Sequence, residues 1–78
     1  MNDAKRQIAL AVLSEVSRKP LAAIAPEMDL VADLGIDSPK ALELLVRLEE
    51  RLSIEISDED AGRMNTVGDV LAYVARQG

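Results

Sequence analysis

Neither cysteine nor histidine occurs among the 78 residues of the chain, and this double absence constrains its fold more than any residue it contains. No disulfide can staple it, and no zinc site built on those ligands can organise it, so a chain at the small end of what folds alone must rely on its apolar core. Hydrophobic residues make up 49% of the sequence, yet Tyr73 is the single aromatic. A core restricted to Leu, Ile, Val, Ala and Met suits packed helices better than sheets. The expectation is one domain over residues 1–78, an all-α small four-helix bundle.

The same absence narrows function. Without histidine or cysteine there is no Ser-His or Cys-His nucleophile pair, and stand-alone catalysis is disfavoured. A reading in which Ser38 acts as nucleophile with Lys40 as its base fails on geometry, because positions two apart on a helix do not face each other. Fourteen acidic against nine basic residues give a net charge of -5. That balance argues against nucleic acid or an anionic membrane as partner and for basic protein surfaces. The apolar run near the N-terminus is interrupted by Ser14 and Glu15 well short of a membrane span, and no clean small-residue cleavage site follows. A cytoplasmic protein is expected.

Periodicity divides the chain. Residues 3–17 place Ile8, Val12 and Val16 on one stripe with Leu13 beside it, and the pattern stops before Lys19-Pro20. Residues 20–37 carry no sustained period and are punctuated by Pro20, Pro26 and Gly35. A loop this long in a compact domain tends to be functional, and Leu30, Val31, Leu34 and Ile36 are expected to pin it to the core. Asp29, Asp33 and Asp37 recur every four residues there, but the spacing is not that of an EF-hand loop, and a solvated acidic loop with no metal is the expectation. A second helix spans 38–52. Ser57–Asp60 and Thr66–Asp69 each match a capping box, with aspartate as the returning carboxylate. The first opens a short helix to about Met64; the second opens a last helix carrying Val67, Val70, Leu71 and Val74 at helical spacing, ending at Gly78.

Two features of the second helix stand out. Ser38, between an aspartate and a proline, occupies the place of an ordinary helix cap. The apolar residues of this helix also cover an arc of roughly 200°, wider than a bundle helix needs, with Leu42 and Val46 at its edge. These two either pack under the long loop or remain available to a partner. Met64 with Leu48, Ile56 and Ala61 is most simply core.

The series D-L-G-I-D-S at 33–38, A-L-E-L-L-V-R-L-E-E at 41–50, E-I-S-D-E-D-A at 55–61 and T-V-G-D-V-L-A-Y-V at 66–74 resembles acyl carrier proteins over nearly the whole chain. The resemblance implies that Ser38 receives a covalent 4'-phosphopantetheine arm from coenzyme A, transferred by a separate phosphopantetheinyl transferase that Asp37 helps to dock; the plainer role of Asp37 is that of a turn or cap residue. It implies that the arm's thiol carries acyl groups as thioesters, and that the chain is not an enzyme. Leu42, Glu43, Val46, Glu49 and Glu50 would then meet the basic docking surfaces of acyl-loading, elongating or transferring enzymes. Leu48, Ile56, Ala61 and Met64 would line a space between the second and third helices that takes in an acyl chain. A thiol on an arm supplies both a good leaving group and reach, which a serine ester held against the protein would lack. Ser38 therefore needs exposure and not activation.

The sequence also departs from the family's pattern. Proline follows the serine where leucine is common in fatty-acid carriers, and Lys40 and Arg47 add positive charge to a helix whose acidity recruits partners. These departures favour a discrete carrier in a specialised pathway, such as polyketide or another modified-acyl or aminoacyl assembly, over housekeeping fatty-acid synthesis, within an expected role in fatty-acid-like, polyketide or related specialised biosynthesis. A monomer is expected. The competing reading is a non-carrier helical interaction module in which Ser38 only caps a helix and Leu42 and Val46 form a docking patch.

Overall fold

In the computed structural model, which describes residues 3–77, four α-helices follow one another: α1 (Asp3–Ser17), α2 (Ser38–Leu52), α3 (Asp58–Ala61) and α4 (Val67–Arg76). A 3-10 turn at Leu21–Ala23 lies in the long connection between α1 and α2. The architecture is the small helical bundle expected, with three longer helices and one short one. The expected end of the last helix at Gly78 lies outside the described residues.

α1 is the central helix and packs on both α2 and α4. Ala9, Val12, Leu13 and Val16 form its buried stripe and meet Leu44 and Leu48 of α2 and Val67, Val70, Leu71 and Val74 of α4. Ile8, expected on that stripe, is only half-buried, and Ala9 takes the innermost position one residue on. The helix ends where Arg18 enters the left-handed region at φ 63°, its amide donating to the Ser14 carbonyl, and Pro20 then prevents continuation. α2 ends in the same way at Ser53, φ 53°, whose amide bonds to the Glu49 carbonyl. Left-handed backbone disfavours a Cβ, so Ser53→Gly and Arg18→Gly are each expected to stabilise the fold by about 0.5–1 kcal/mol in urea unfolding.

The long connection is ordered by its carboxylates. The Asp29 side chain accepts from the amides of Val31 and Ala32, both at 2.8 Å, while the Asp29 amide donates to the Asp33 carboxylate at 2.7 Å. These bonds close a single helical turn in which Leu30 and Leu34, four apart, both face inward and are buried. Val31, one step around that turn, points outward and is 65% exposed. It does not pin the loop, contrary to the sequence expectation, whereas Leu30, Leu34 and Ile36 do. Gly35 leaves the turn at φ +66°, a conformation for which glycine carries no steric penalty.

The loop is then stitched to the start of α4. Leu30 donates to the Asn65 carbonyl, and two helix-start amides, Val67 and Gly68, donate to the carbonyls of Met28 and Pro26, so donors that a helix leaves unpaired are satisfied by the loop. A Cβ on Gly68 would lie 3.1 Å from the Pro26 oxygen, which keeps this position small. Thr66 and Asp69 complete a reciprocal capping box. The amides of Asn65 and Thr66 both donate to the Asp69 carboxylate and hold its pKa below the usual carboxylate range. A depressed folded-state pKa contributes stability above the unfolded value that is lost as pH falls through the folded one. Asp69→Asn, which keeps an acceptor oxygen but not the charge, should thus lower the melting temperature at neutral pH, with the deficit vanishing as acid carries the pH below the lowered pKa of Asp69.

α3 is shorter than expected, a single turn ending at Ala61 and not at Met64. Ser57 caps it through the Asp60 amide, but the reciprocal half of the expected capping box is not made. The Asp60 carboxylate instead accepts from the Tyr73 hydroxyl at 3.2 Å, and that hydroxyl also reaches the Glu55 carbonyl at 3.2 Å. Tyr73 is 8% exposed, and a phenol so enclosed requires a partner for its O–H.

Candidate functional site

The site is assembled at the first turn of α2. Asp37 has extended backbone, and its carboxylate accepts from the Lys40 amide at 3.2 Å, so Asp37 is the N-cap. Ser38 is the first helical residue and Pro39 the second. The expectation that Ser38 caps the helix is therefore corrected, and the reading that confines it to that role fails with it. Its side chain is exposed and makes no hydrogen bond among the described residues. A hydroxyl so placed is accessible, and the positive end of the helix dipole beside it favours an attached phosphate ester.

One turn further along, α2 bounds a cavity of about 290 Å³, near the lower end of ordinary ligand-pocket size. Ala41, Leu44, Leu45 and Leu48 form its α2 wall, Ala61, Gly62 and Met64 the opposite side, and Ile36 and Val31 the loop edge. Of the four residues expected there, Leu48, Ala61 and Met64 line the cavity. Ile56 does not. It packs against the core, held by its amide, which donates to the Glu49 carboxylate at 3.0 Å.

On its outer face α2 carries a shallow groove of about 600 Å³ bounded by Pro39, Leu42, Glu43, Val46, Arg47, Glu50 and Arg51. Leu42 is 64% and Val46 42% exposed, so neither packs under the loop. Glu43 and Glu50 border the groove but Glu49 does not, because its carboxylate is turned to the backbone of Ile56 and secures the link from α2 to α3. The spacing of Glu43 and Arg47 predicts an i,i+4 ion pair, and it forms at 2.7 Å. The Arg47 guanidinium also bonds to Glu15 of α1 at 2.7 Å, and Arg51 meets the same Glu15 with two bonds of 2.7 Å. The Arg51 hydrogen bond holds the Glu15 pKa below its ordinary value, with a smaller contribution from Arg47. Lys40 makes no ion pair among the described residues. Glu15 escaped the sequence reading because nothing local to residue 15 signals a pairing with positions 32 and 36 residues away.

The carboxylates of Asp29, Asp33 and Asp37 are spent on backbone amides, and no group of acidic side chains among the described residues is arranged to hold a metal ion. No described helix is long and apolar enough to cross a membrane.

The bundle thus presents an exposed serine hydroxyl, without a hydrogen bond among the described residues, at the first position of α2. Residues 7–74 match the family model of the phosphopantetheine attachment site. The acyl carrier protein of Helicobacter pylori strain J99 is 44% identical over 64 residues, 82% of each chain. Among solved structures, a candidate acyl carrier protein from Mycobacterium tuberculosis superposes with a TM-score of 0.84 at 37% identity, covering 91% of this chain and 95% of its own. An acyl carrier protein from Enterococcus faecalis gives 0.76 at 26% identity, covering 95% and 98%. The chain belongs to the acyl carrier protein family. Its role is that of a carrier and not a catalyst, and its cofactor is a covalently attached 4'-phosphopantetheine.

Proposed function

We propose that residues 1–78 form one carrier unit with Ser38 as the attachment point, delivering acyl groups to enzymes of fatty-acid-like, polyketide or related specialised biosynthesis. The observation that carries this reading is the free, exposed hydroxyl of Ser38 inside the segment matched by the attachment-site family. When attached, the arm supplies a thiol on which acyl groups are held as thioesters. Asp37 sets the start of α2 and so fixes where Ser38 projects, and it takes part in docking the transferase. Leu42, Val46, Glu43 and Glu50 offer an apolar strip with carboxylates beside it, a surface complementary to a basic partner with an apolar centre. Leu48, Ala61 and Met64 provide an aliphatic wall for an acyl chain. With no aromatic ring in its lining, that wall is deformable.

The protein acts in the cytoplasm as a monomer. Compensation of Arg47 by Glu15 and Glu43 weakens the charge-based case for a specialised pathway, leaving Pro39 and Lys40 as the departures that support it. The test is incubation of the chain with a phosphopantetheinyl transferase, magnesium and coenzyme A. Intact mass should rise by a single pantetheine phosphate, and peptide mapping should place it on the fragment containing Ser38. An unchanged mass, or attachment at Ser14, Ser17, Ser53 or Ser57, would refute the proposal.

A further inference from the structure

The α2 groove carries two carboxylates, Glu43 and Glu50, and two guanidiniums, Arg47 and Arg51, which formally cancel. A neutral groove would give little steering to a basic partner. The negative balance of this face is supplied from another helix. Glu15 of α1 bonds to both guanidiniums at 2.7 Å, and the side chains concerned remain 38–43% exposed, so their charges act at the surface.

We propose that Glu15 is a specificity-determining residue of the docking face although it lies outside it: its carboxylate, shared by Arg47 and Arg51, draws both guanidiniums toward α1 and offsets one of their two charges, so that with Glu43 and Glu50 the carboxylates outnumber the guanidiniums and the face is net negative toward a basic partner. The inference rests on the proposed use of the groove for docking. Without Glu15, the Arg51 guanidinium loses both of its hydrogen bonds and that of Arg47 keeps only its bond to Glu43, so their long flexible stems are freed beside Leu42 and Val46 and the face becomes neutral. With Glu15 present, both terminal nitrogens of Arg51 bond to it, while Arg47 divides its fork between Glu15 and Glu43.

The experiment compares three apo chains with Ser38 intact as substrates for a phosphopantetheinyl transferase whose docking surface is basic: wild type, Glu15→Gln, and the triple variant Glu15→Gln/Arg47→Gln/Arg51→Gln. At low ionic strength Glu15→Gln should raise KM for the carrier by about three- to tenfold with kcat unchanged. In 1 M salt, where the screening length falls to about 3 Å, the difference should disappear. The triple variant lacks every one of these interhelical bonds yet should show a KM at or below that of wild type. A structural role for Glu15 predicts the opposite, since the triple variant would be impaired at least as much as the single one. An unaltered KM for Glu15→Gln, a shift that persists in high salt, or a triple variant that fails to recover overturns the inference while the carrier reading stands. A wild-type chain that takes up no pantetheine overturns both.

Discussion

Ser38→Ala is expected to abolish pantetheine uptake completely while leaving the melting temperature within about 2 °C of wild type, and Asp37→Ala to lower the melting temperature while slowing uptake without abolishing it. The separation follows from the division of labour at the start of α2. Asp37, not Ser38, supplies the side-chain oxygen that accepts from the Lys40 amide, so removing the serine hydroxyl leaves the cap intact. Loss of an N-cap carboxylate costs about 0.5–2 kcal/mol, equivalent in a domain of this size to a fall of several degrees. Asparagine caps as well as aspartate, so Asp37→Asn should recover stability. Any slowing of modification that survives in this variant measures the part Asp37 plays in docking the transferase. Intact mass and thermal unfolding read the two outcomes independently. A large stability loss in Ser38→Ala would mean that the hydroxyl is engaged after all.

Leu13→Ala should be the most damaging single truncation, costing about 2–5 kcal/mol. Leu13 is fully buried on the helix that both α2 and α4 pack against, so no neighbouring element can move inward without leaving the other. Total stability for 78 residues is expected to be only about 4–12 kcal/mol, and a loss of this size lowers the melting temperature by about 10–30 °C. Val31→Ala provides the contrast. Although Val31 is also an aliphatic residue, it is 65% exposed, and its truncation should stay within about 0.5 kcal/mol. Chemical unfolding of the two variants under one set of conditions checks both; comparable losses would contradict the burial pattern.

The long helices were legible because apolar spacing and stop signals coincide in them: Pro20 after α1, and Pro39 within the first turn of α2. The details that were not legible share a cause. Proline favours the first helical position, which would have made Ser38 the cap, but here it occupies the second, because the connection leaves extended backbone at Asp37. Asp and Ser are equally competent caps, so the choice between them is made by the path of the loop. Val31 was assigned to the core on hydrophobicity alone, whereas Asp29 and Asp33 close a turn that rotates it outward. The link between Glu49 and Ile56 has no periodic signature either, since it joins a helix carboxylate to a backbone amide seven residues on, and it holds Ile56 away from the cavity. Asp60 was expected to complete its own cap and was claimed instead by a tyrosine thirteen residues away. In each instance a tertiary partner outcompeted a local one.

The clasp formed by Tyr73 has a practical consequence. With one tyrosine and no tryptophan, the near-ultraviolet absorption and intrinsic emission of the chain arise from a single ring, and its hydroxyl is the group that joins α4 to Glu55 and to Asp60 at the end of α3. Burial, and then the Asp60 carboxylate, push the phenol's ionisation above its ordinary range. The ring is thus a built-in optical reporter of whether α3 is seated. Loosening of that helix, and with it of the Ala61 and Met64 side of the cavity, can be followed in the unlabelled protein as a downward drift in the phenol's titration midpoint toward that of free tyrosine.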